Sequence, residues 1–377
     1  MMRRVLLLSS VHPATDPRIL YKVIPSLATR FEVFCALPDA DLVSNESPVT
    51  MIRLPKFDSL LARIVFSHPI LIWKCIRLRP DLVHIFVPEL IPVAYLFRLL
   101  GSEVIYEVQE NLYKKFQIKK HNNLAVYRAM FWFLDRLARK HFFLIFTEDA
   151  YLYEYKSLSR PFAIVHNYVS LSFIDKYSKE RKLSDQPTFF YSGVISFERS
   201  FDVLVAAVAI LVQKYPNIHI HMFGPVRFGE REVSNLPMYS KVSQHFTFYG
   251  YTDLKVALMK ASEAVAGIAL LKSVADYPES LTTKLFEYMA LQLPVITSDF
   301  PLYMKVLDSS KCGFCISPEN AESLAEKMGW LILHKSEATR MGSNGREAAE
   351  RLYNWEKEEK ILLSFYKGIF ESKCLAA

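Results

Sequence analysis

Glu279 and Glu287 are separated by seven residues in the string YPESLTTKLFEYMALQLPVITSDFP. Ser280, Thr282 and Thr283 mark a helix start, and Lys284 to Leu291 is a helix-forming run that stops before Pro294. The N-terminus of such a helix offers backbone N–H groups and a partial positive charge, which suits a diphosphate. Glu279 is expected in the loop before the helix and Glu287 one to two turns inside it. At a rise of ~1.5 Å per residue the carboxylates lie on the order of 10 Å apart. That span is comparable with the distance from sugar to ribose across a nucleotide sugar, so one carboxylate can bind sugar hydroxyls and the other ribose hydroxyls. Two glutamates at this spacing also arise by chance on a solvated helix face.

The elements that must position this string repeat a single pattern. In the N-terminal half, short apolar runs (RVLLLSS, FEVFCAL, DLVHIFV, SEVIYEV, FFLIFTE) alternate with helical stretches near Pro17 to Thr29, from LARIVF to CIRL, over Ile91 to Leu100, and over Leu124 to Lys140. The pattern restarts with TFFYSGV, IHIHMFG, AVAGIALL, PVITS and GFCIS, separated by helices over Val203 to Lys214, Leu254 to Ser262 and Leu285 to Leu291. Strands apolar along their whole length, in turn with helices, describe parallel sheets covered on both faces. The polar stretch Lys176 to Pro187 marks the break. The expected organisation is a Rossmann-like domain over 1–168, a linker over 169–187 and a second Rossmann-like domain over 188–354, with a C-terminal helix over 355–377. Two such α/β domains are expected to face a ligand cleft.

Composition narrows the classes. With 377 residues, 51% of them hydrophobic and 14% aromatic, the chain can fill two cores. The net charge of +7 favours anionic partners but is too scattered for nucleic-acid binding. No GxGxxG or GxxxxGK[ST] motif occurs, which disfavours dehydrogenases and P-loop kinases. Five cysteines at irregular positions, Cys35, Cys75, Cys312, Cys315 and Cys374, fit a reducing cytosol better than a disulfide framework. Cys312 and Cys315 have the spacing of half a zinc site without a second half, so structural thiols are expected. The N-terminal MMRRVLLLSS is too short for a signal segment and reads as a first strand. No apolar run reaches the ~18 residues needed to span a bilayer.

The string around Glu279 and Glu287 resembles the Glu-x7-Glu signature of the retaining glycosyltransferases of family 4, which have the GT-B fold. Other segments agree in order: HPATDPRILYKVIPSLATRFEV, with its Asp16-Pro-Arg18 element, PDLVHIFVPELIPVAYLFRLLGSEVIYEVQEN, LDRLARKHFFLIFTEDAYL, IVHNYVS and YNWEKEEKILLSFYKGI. The resemblance implies two Rossmann-like domains facing a central cleft, with the last helix crossing back onto the first domain. It places the donor sugar at Glu279 and the ribose at Glu287. Ser280, Leu281, Thr282, Thr283, Lys284, Gly193 and Arg199 complete the expected donor-binding set.

The chain departs from that pattern. Where the family has Gly-Arg, YSGVISFERS has Gly193-Val194, leaving Arg199 as the phosphate cation and Lys284 as the residue that could supply the missing charge. Gln109 stands where the family often has a histidine near the reacting centre, and it cannot relay a proton. Glu110, His12 and Asn167 are candidate acceptor-side residues; His166 is a candidate cleft residue, and His84 reads as a core histidine. The segment from KKFQIKK, with Lys119 and Lys120, through Trp132, Phe133, Arg136 and Lys140 reads either as an amphipathic core helix or as a peripheral contact with an anionic membrane.

The expected activity is transfer of a sugar, with retention, from a nucleotide diphosphate sugar to a hydroxyl of a glycan or lipid-linked acceptor in polysaccharide biosynthesis. Arg199, Glu279 and Gln109 are the expected catalytic residues, without metal or cofactor. The expected place is the cytoplasm, including the inner face of the cytoplasmic membrane. A nucleotide-sugar epimerase of the same fold and a non-catalytic scaffold of an assembly complex are the alternatives.

Overall fold

Alternating side chains of the first strand enter different cores, which explains why its whole run is apolar. In a computed structural model, which describes residues 2–42, 49–115, 125–182 and 186–376, β1 (Arg4–Leu8) sends Leu6 and Leu8 into a cluster with Leu71, Phe97 and Phe142. Val5 and Leu7 enter another with Leu362, Tyr366 and Ile369. Both faces of a parallel sheet are thus covered, each buried Leu or Val contributing about 1.5–3 kcal/mol.

The chain forms two compact units, Met1–Asn167 with Trp355–Ala377, and Tyr168–Asn354. In the first, β2 (Glu32–Pro38), β3 (Thr50–Leu54), β4 (Leu82–Ile85), β5 (Glu103–Val108), β6 (Phe143–Phe146) and β7 (Phe162–Ile164) join β1 in a parallel sheet of order β3-β2-β1-β4-β5-β6-β7. The helix Trp355–Ala376 covers the Val5 and Leu7 face, as its Leu362 and Tyr366 show.

The second unit repeats the plan. Its strands are β8 (Thr188–Ser192), β9 (His219–Phe223), β10 (Phe246–Phe248), β11 (Ala266–Ala269), β12 (Val295–Ser298) and β13 (Gly313–Ile316), in the order β10-β9-β8-β11-β12-β13. Phe189 and Tyr191 pack with Leu204 and Met328, while Phe190 packs with Leu285 and Met289 on the other face.

Some details differ from the sequence reading. The stretch 169–187 includes a helix, Leu171–Tyr177, capped by the Ser170 hydroxyl and placing Ile174 in the second core. Its few apolar residues are masked in the sequence by the polar run beside them. The long helix of the first unit is described from Ala125 to His141; Lys119, Lys120 and Leu124 lie outside the described residues.

Candidate functional site

The second unit converges two cations on one glycine. Strand β8 ends at Ser192, and Gly193 follows with φ +112°, turning the chain toward a short 3-10 helix over Phe197–Arg199. A side chain at Gly193 would place its Cβ 3.3 Å from Arg199 Nη1 and 3.7 Å from Lys284 Nζ. Gly224, at φ +139° after β9, fixes this turn: a Cβ there would lie 2.0 Å from the Gly193 carbonyl oxygen. Gly193 N–H donates to the Phe223 carbonyl at 2.8 Å. Sequence reading missed Gly224, because nothing in the string shows which glycine a second loop presses against.

Lys284 is buried in the first turn of the helix Thr283–Ala290. Its Nζ lies 3.9 Å from the centroid of the Tyr191 ring and has no hydrogen-bond partner among the described residues. Burial, then the Arg199 charge, pull its pKa well below the ordinary lysine range, while Glu287 opposes the shift. Arg199 is half-buried with its guanidinium 5.8 Å from the Tyr277 ring, and Tyr191 is held by donating to the Val194 carbonyl at 2.6 Å. A buried cation without a partner is costly, and an anion arriving beside it relieves that cost.

Glu287 sits in the second turn of the same helix and accepts from the Ser192 hydroxyl at 3.2 Å. The next residue, Tyr288, accepts from the Ser192 N–H at 2.9 Å, so the helix is pinned to the end of β8. Glu279 closes a one-turn 3-10 helix, Tyr277–Glu279, with Pro278 in its first turn. The intervening loop is clamped by Tyr303, whose hydroxyl donates to the Ser280 carbonyl at 2.7 Å and accepts from the Thr282 N–H at 3.2 Å. This corrects one expectation: the Thr282 amide is already committed and does not add to the phosphate donors. Lys272 ties the loop to the Arg199 segment, its N–H donating to the Glu198 carbonyl at 2.9 Å and its Nζ to Asp202 at 2.6 Å.

In the first unit His12, Gln109 and Glu110 line one cavity of about 430 Å³. His12 Nδ1 lies 2.8 Å from the Ser9 hydroxyl. Gln109 donates to Glu107 at 2.6 Å, and Glu107, fully buried, takes two hydrogen bonds from Arg18, at 2.8 and 3.1 Å. Burial opposes the Glu107 charge, but Arg18 and His84 outweigh it and hold the carboxyl well below its usual range. His84 is the core histidine expected, its Nδ1 2.6 Å from the Tyr366 hydroxyl. The Arg18–Glu107 pair escaped the sequence reading because the partners are 89 residues apart.

Asn167 is not among the cavity's lining residues. Lys22 Nζ donates to its side-chain oxygen at 2.7 Å and to its carbonyl at 3.3 Å, which gives Asn167 a structural task. His166 is held between Asp149 at 2.9 Å and Glu358, which accepts from its backbone N–H at 2.7 Å. Burial disfavours the charged ring, but hydrogen bonds to Glu358 and Asp149 raise its pKa to about 9. Cys312 is buried and Cys315 half-buried, both thiols free and pushed up by burial, to about 11 and about 12. Among the described residues no group of three or more His, Cys, Asp or Glu is placed to hold a metal ion, and no helix is long and apolar enough to cross a membrane.

Residues 173–348, almost the whole second unit, match the family described as glycosyl transferases group 1. Spore coat protein SA of Bacillus subtilis (strain 168) is 23% identical over 199 residues, 51% of this chain and 52% of its own length. The capsular polysaccharide biosynthesis glycosyltransferase CapM of Staphylococcus aureus is 23% identical over 208 residues, 51% of this chain and 50% of its own. The chain thus spans about half the length of the curated relatives it matches. Among solved structures, Anabaena HepE in complex with UDP-glucose aligns over 98% of this chain and 100% of its own, with TM-score 0.73 and 12% identity. The two parallel-sheet units have the GT-B fold.

Proposed function

We propose that this chain, whose residues 173–348 match the glycosyl transferases group 1, moves a sugar from a nucleotide diphosphate sugar to a hydroxyl of a glycan or lipid-linked acceptor, with retention. The observation that carries the reading is the buried Lys284 amine beside Arg199 at Gly193, which has no hydrogen-bond partner among the described residues. Two cations at one backbone turn suit the two phosphates of a nucleoside diphosphate.

In this reading the acceptor oxygen bonds to the anomeric carbon as the bond from that carbon to the diphosphate oxygen breaks. The hydroxyl proton is left to the departing diphosphate or to water. Arg199 and Lys284 stabilise the charge that grows on the leaving diphosphate, and this fixed electrostatic contribution is the largest the site offers. Glu287, oriented by Ser192, receives the ribose hydroxyls, and Glu279 those of the sugar. The two cations do the neutralising that a divalent metal would otherwise do.

The CapM similarity supports a place in polysaccharide biosynthesis, and the UDP-glucose held by HepE supports the donor class. Exposed Trp132 and Phe133 on the helix that also carries Arg136 and Lys140 support peripheral contact with an anionic membrane at its cytoplasmic face. The test is product analysis after incubation with UDP- and GDP-sugars, with and without acceptor sugars. Transfer or slow donor hydrolysis with an unchanged anomeric configuration is expected. A new epimer formed from donor alone would instead identify an epimerase, and absence of nucleotide binding would identify a scaffold.

A further inference from the structure

The cluster at Gly193 sets a lysine and an arginine side by side in a place where only one of them is easily charged. Lys284 is 3% exposed, and its Nζ has no hydrogen-bond partner among the described residues. The titratable and charged groups that face it come from three elements. Strand β8 brings Tyr191, whose ring centroid lies 3.9 Å from Nζ and whose hydroxyl donates to the Val194 carbonyl. Burial pushes that hydroxyl up to about 12, so the ring brings no negative charge near neutrality.

The 3-10 helix Phe197–Arg199 brings Arg199, whose Nη1 and the Lys284 Nζ lie 3.3 and 3.7 Å from one point, the Cβ position at Gly193. Burial works against the Arg199 charge, but Tyr191 and Tyr277 outweigh it and keep the guanidinium charged. The helix Thr283–Ala290 brings Glu287, which accepts from the Ser192 hydroxyl, and Tyr288, whose hydroxyl burial pushes far up and so keeps neutral. A second positive charge at Lys284 is therefore disfavoured twice, by desolvation and by the guanidinium beside it, and Glu287 offsets this only in part. A diphosphate reverses the balance, because its two negative charges reach both side chains.

We infer that the site takes up a proton together with its nucleotide sugar, Lys284 being a neutral amine in the free protein and an ammonium against the diphosphate. The proton comes from water and lands on the Nζ lone pair; no bond of the donor changes. Donor affinity is highest where Lys284 is protonated before binding. It falls by up to about tenfold per pH unit as pH rises through the lysine's pKa in the free protein, and levels off above its higher pKa in the complex. The inference rests on the transferase reading for the identity of the anion.

The probe is UDP-glucose, whose two phosphates stay ionised throughout, whereas the terminal phosphate of UDP titrates near about pH 6 and adds protons of its own. The full chain is titrated calorimetrically between about pH 6 and 9 in pairs of buffers with unlike ionisation enthalpies, which reads the protons taken up per site. Uptake is expected in the parent chain and not in Lys284→Met or in Lys284→Arg, whose guanidinium is charged throughout. In the nucleotide-free protein labelled with ¹³C-lysine, the Cε signal that Lys284→Met removes is expected to titrate at lower pH than the surface lysines. The parent chain reads the uptake whether or not the variants fold. Binding with no proton uptake, uptake that both variants retain, or a Lys284 signal that titrates with the surface lysines overturns the inference and leaves the donor site standing. Failure of both UDP-glucose and GDP-mannose to bind overturns the donor reading itself, and the uptake with it.

Discussion

Lys284 Nζ lies 3.9 Å from the centre of the Tyr191 ring, buried, with no hydrogen-bond partner among the described residues. A ring face is a weaker partner than a carboxylate for a desolvated ammonium. The lysine is therefore expected to cost stability in the free protein.

Lys284→Met keeps the length of the side chain and removes the charge. Unfolding of the nucleotide-free variant in urea is expected to show stability unchanged or raised by about 1–3 kcal/mol. A loss of that size instead would mean that the ammonium has a structural partner and is not held in reserve.

The two glutamates are expected to separate under substitution. Glu287→Gln weakens UDP and UDP-sugars alike, by roughly tenfold to a hundredfold, because a ribose contact is common to both. Glu279→Gln leaves UDP unchanged and weakens only the sugar-bearing donor. Dissociation constants for UDP and UDP-glucose with each variant check this, and identical profiles for the two variants would reverse or remove the assignment.

Gly224→Ala forces a Cβ against the Gly193 carbonyl, so the turn that gathers the cations must shift. The expected cost is about 2–4 kcal/mol, with loss of UDP binding. Gly101→Ala is the control: its φ is also positive, at +97°, but nothing lies within 4 Å of the added atom. It is expected to cost about 1–2 kcal/mol and leave UDP binding intact.

His166 gives the first unit a pH dependence. Its pKa of about 9 in the folded chain lies above the ordinary 6.5, so the charged network with Asp149 and Glu358 stabilises fully below about pH 6.5 and is lost as pH rises through 9. His166→Asn should cost on the order of 2 kcal/mol more at pH 6 than at pH 10, read by denaturant unfolding. An equal penalty at both values would show that the ring is neutral in the native state.

How much of this the sequence revealed depended on where each signal lies. Interior strands such as β1 and β12 are apolar on both faces and were legible at once. The strands it did not reveal, β3, β7 and β10, are all at sheet edges, where short half-exposed runs such as TMIRL carry no continuous apolar signal. Glu279, Lys284 and Glu287 could be read together because one helix start orders them locally. Tyr191, Gly224 and Tyr303 come to the same site from other strands and helices, and only folding brings them there. Thr282 shows the converse, since its place at a helix start suggested a free amide that Tyr303 has already taken.

The most direct measurement is a calorimetric titration of UDP and GDP into the parent chain and into Lys284→Met at low ionic strength. Binding of at least one nucleotide to the parent chain, weakened about a hundredfold in the variant, is expected if Lys284 and Arg199 hold a diphosphate. Equal affinity in both proteins, or no binding to either, would contradict the donor site.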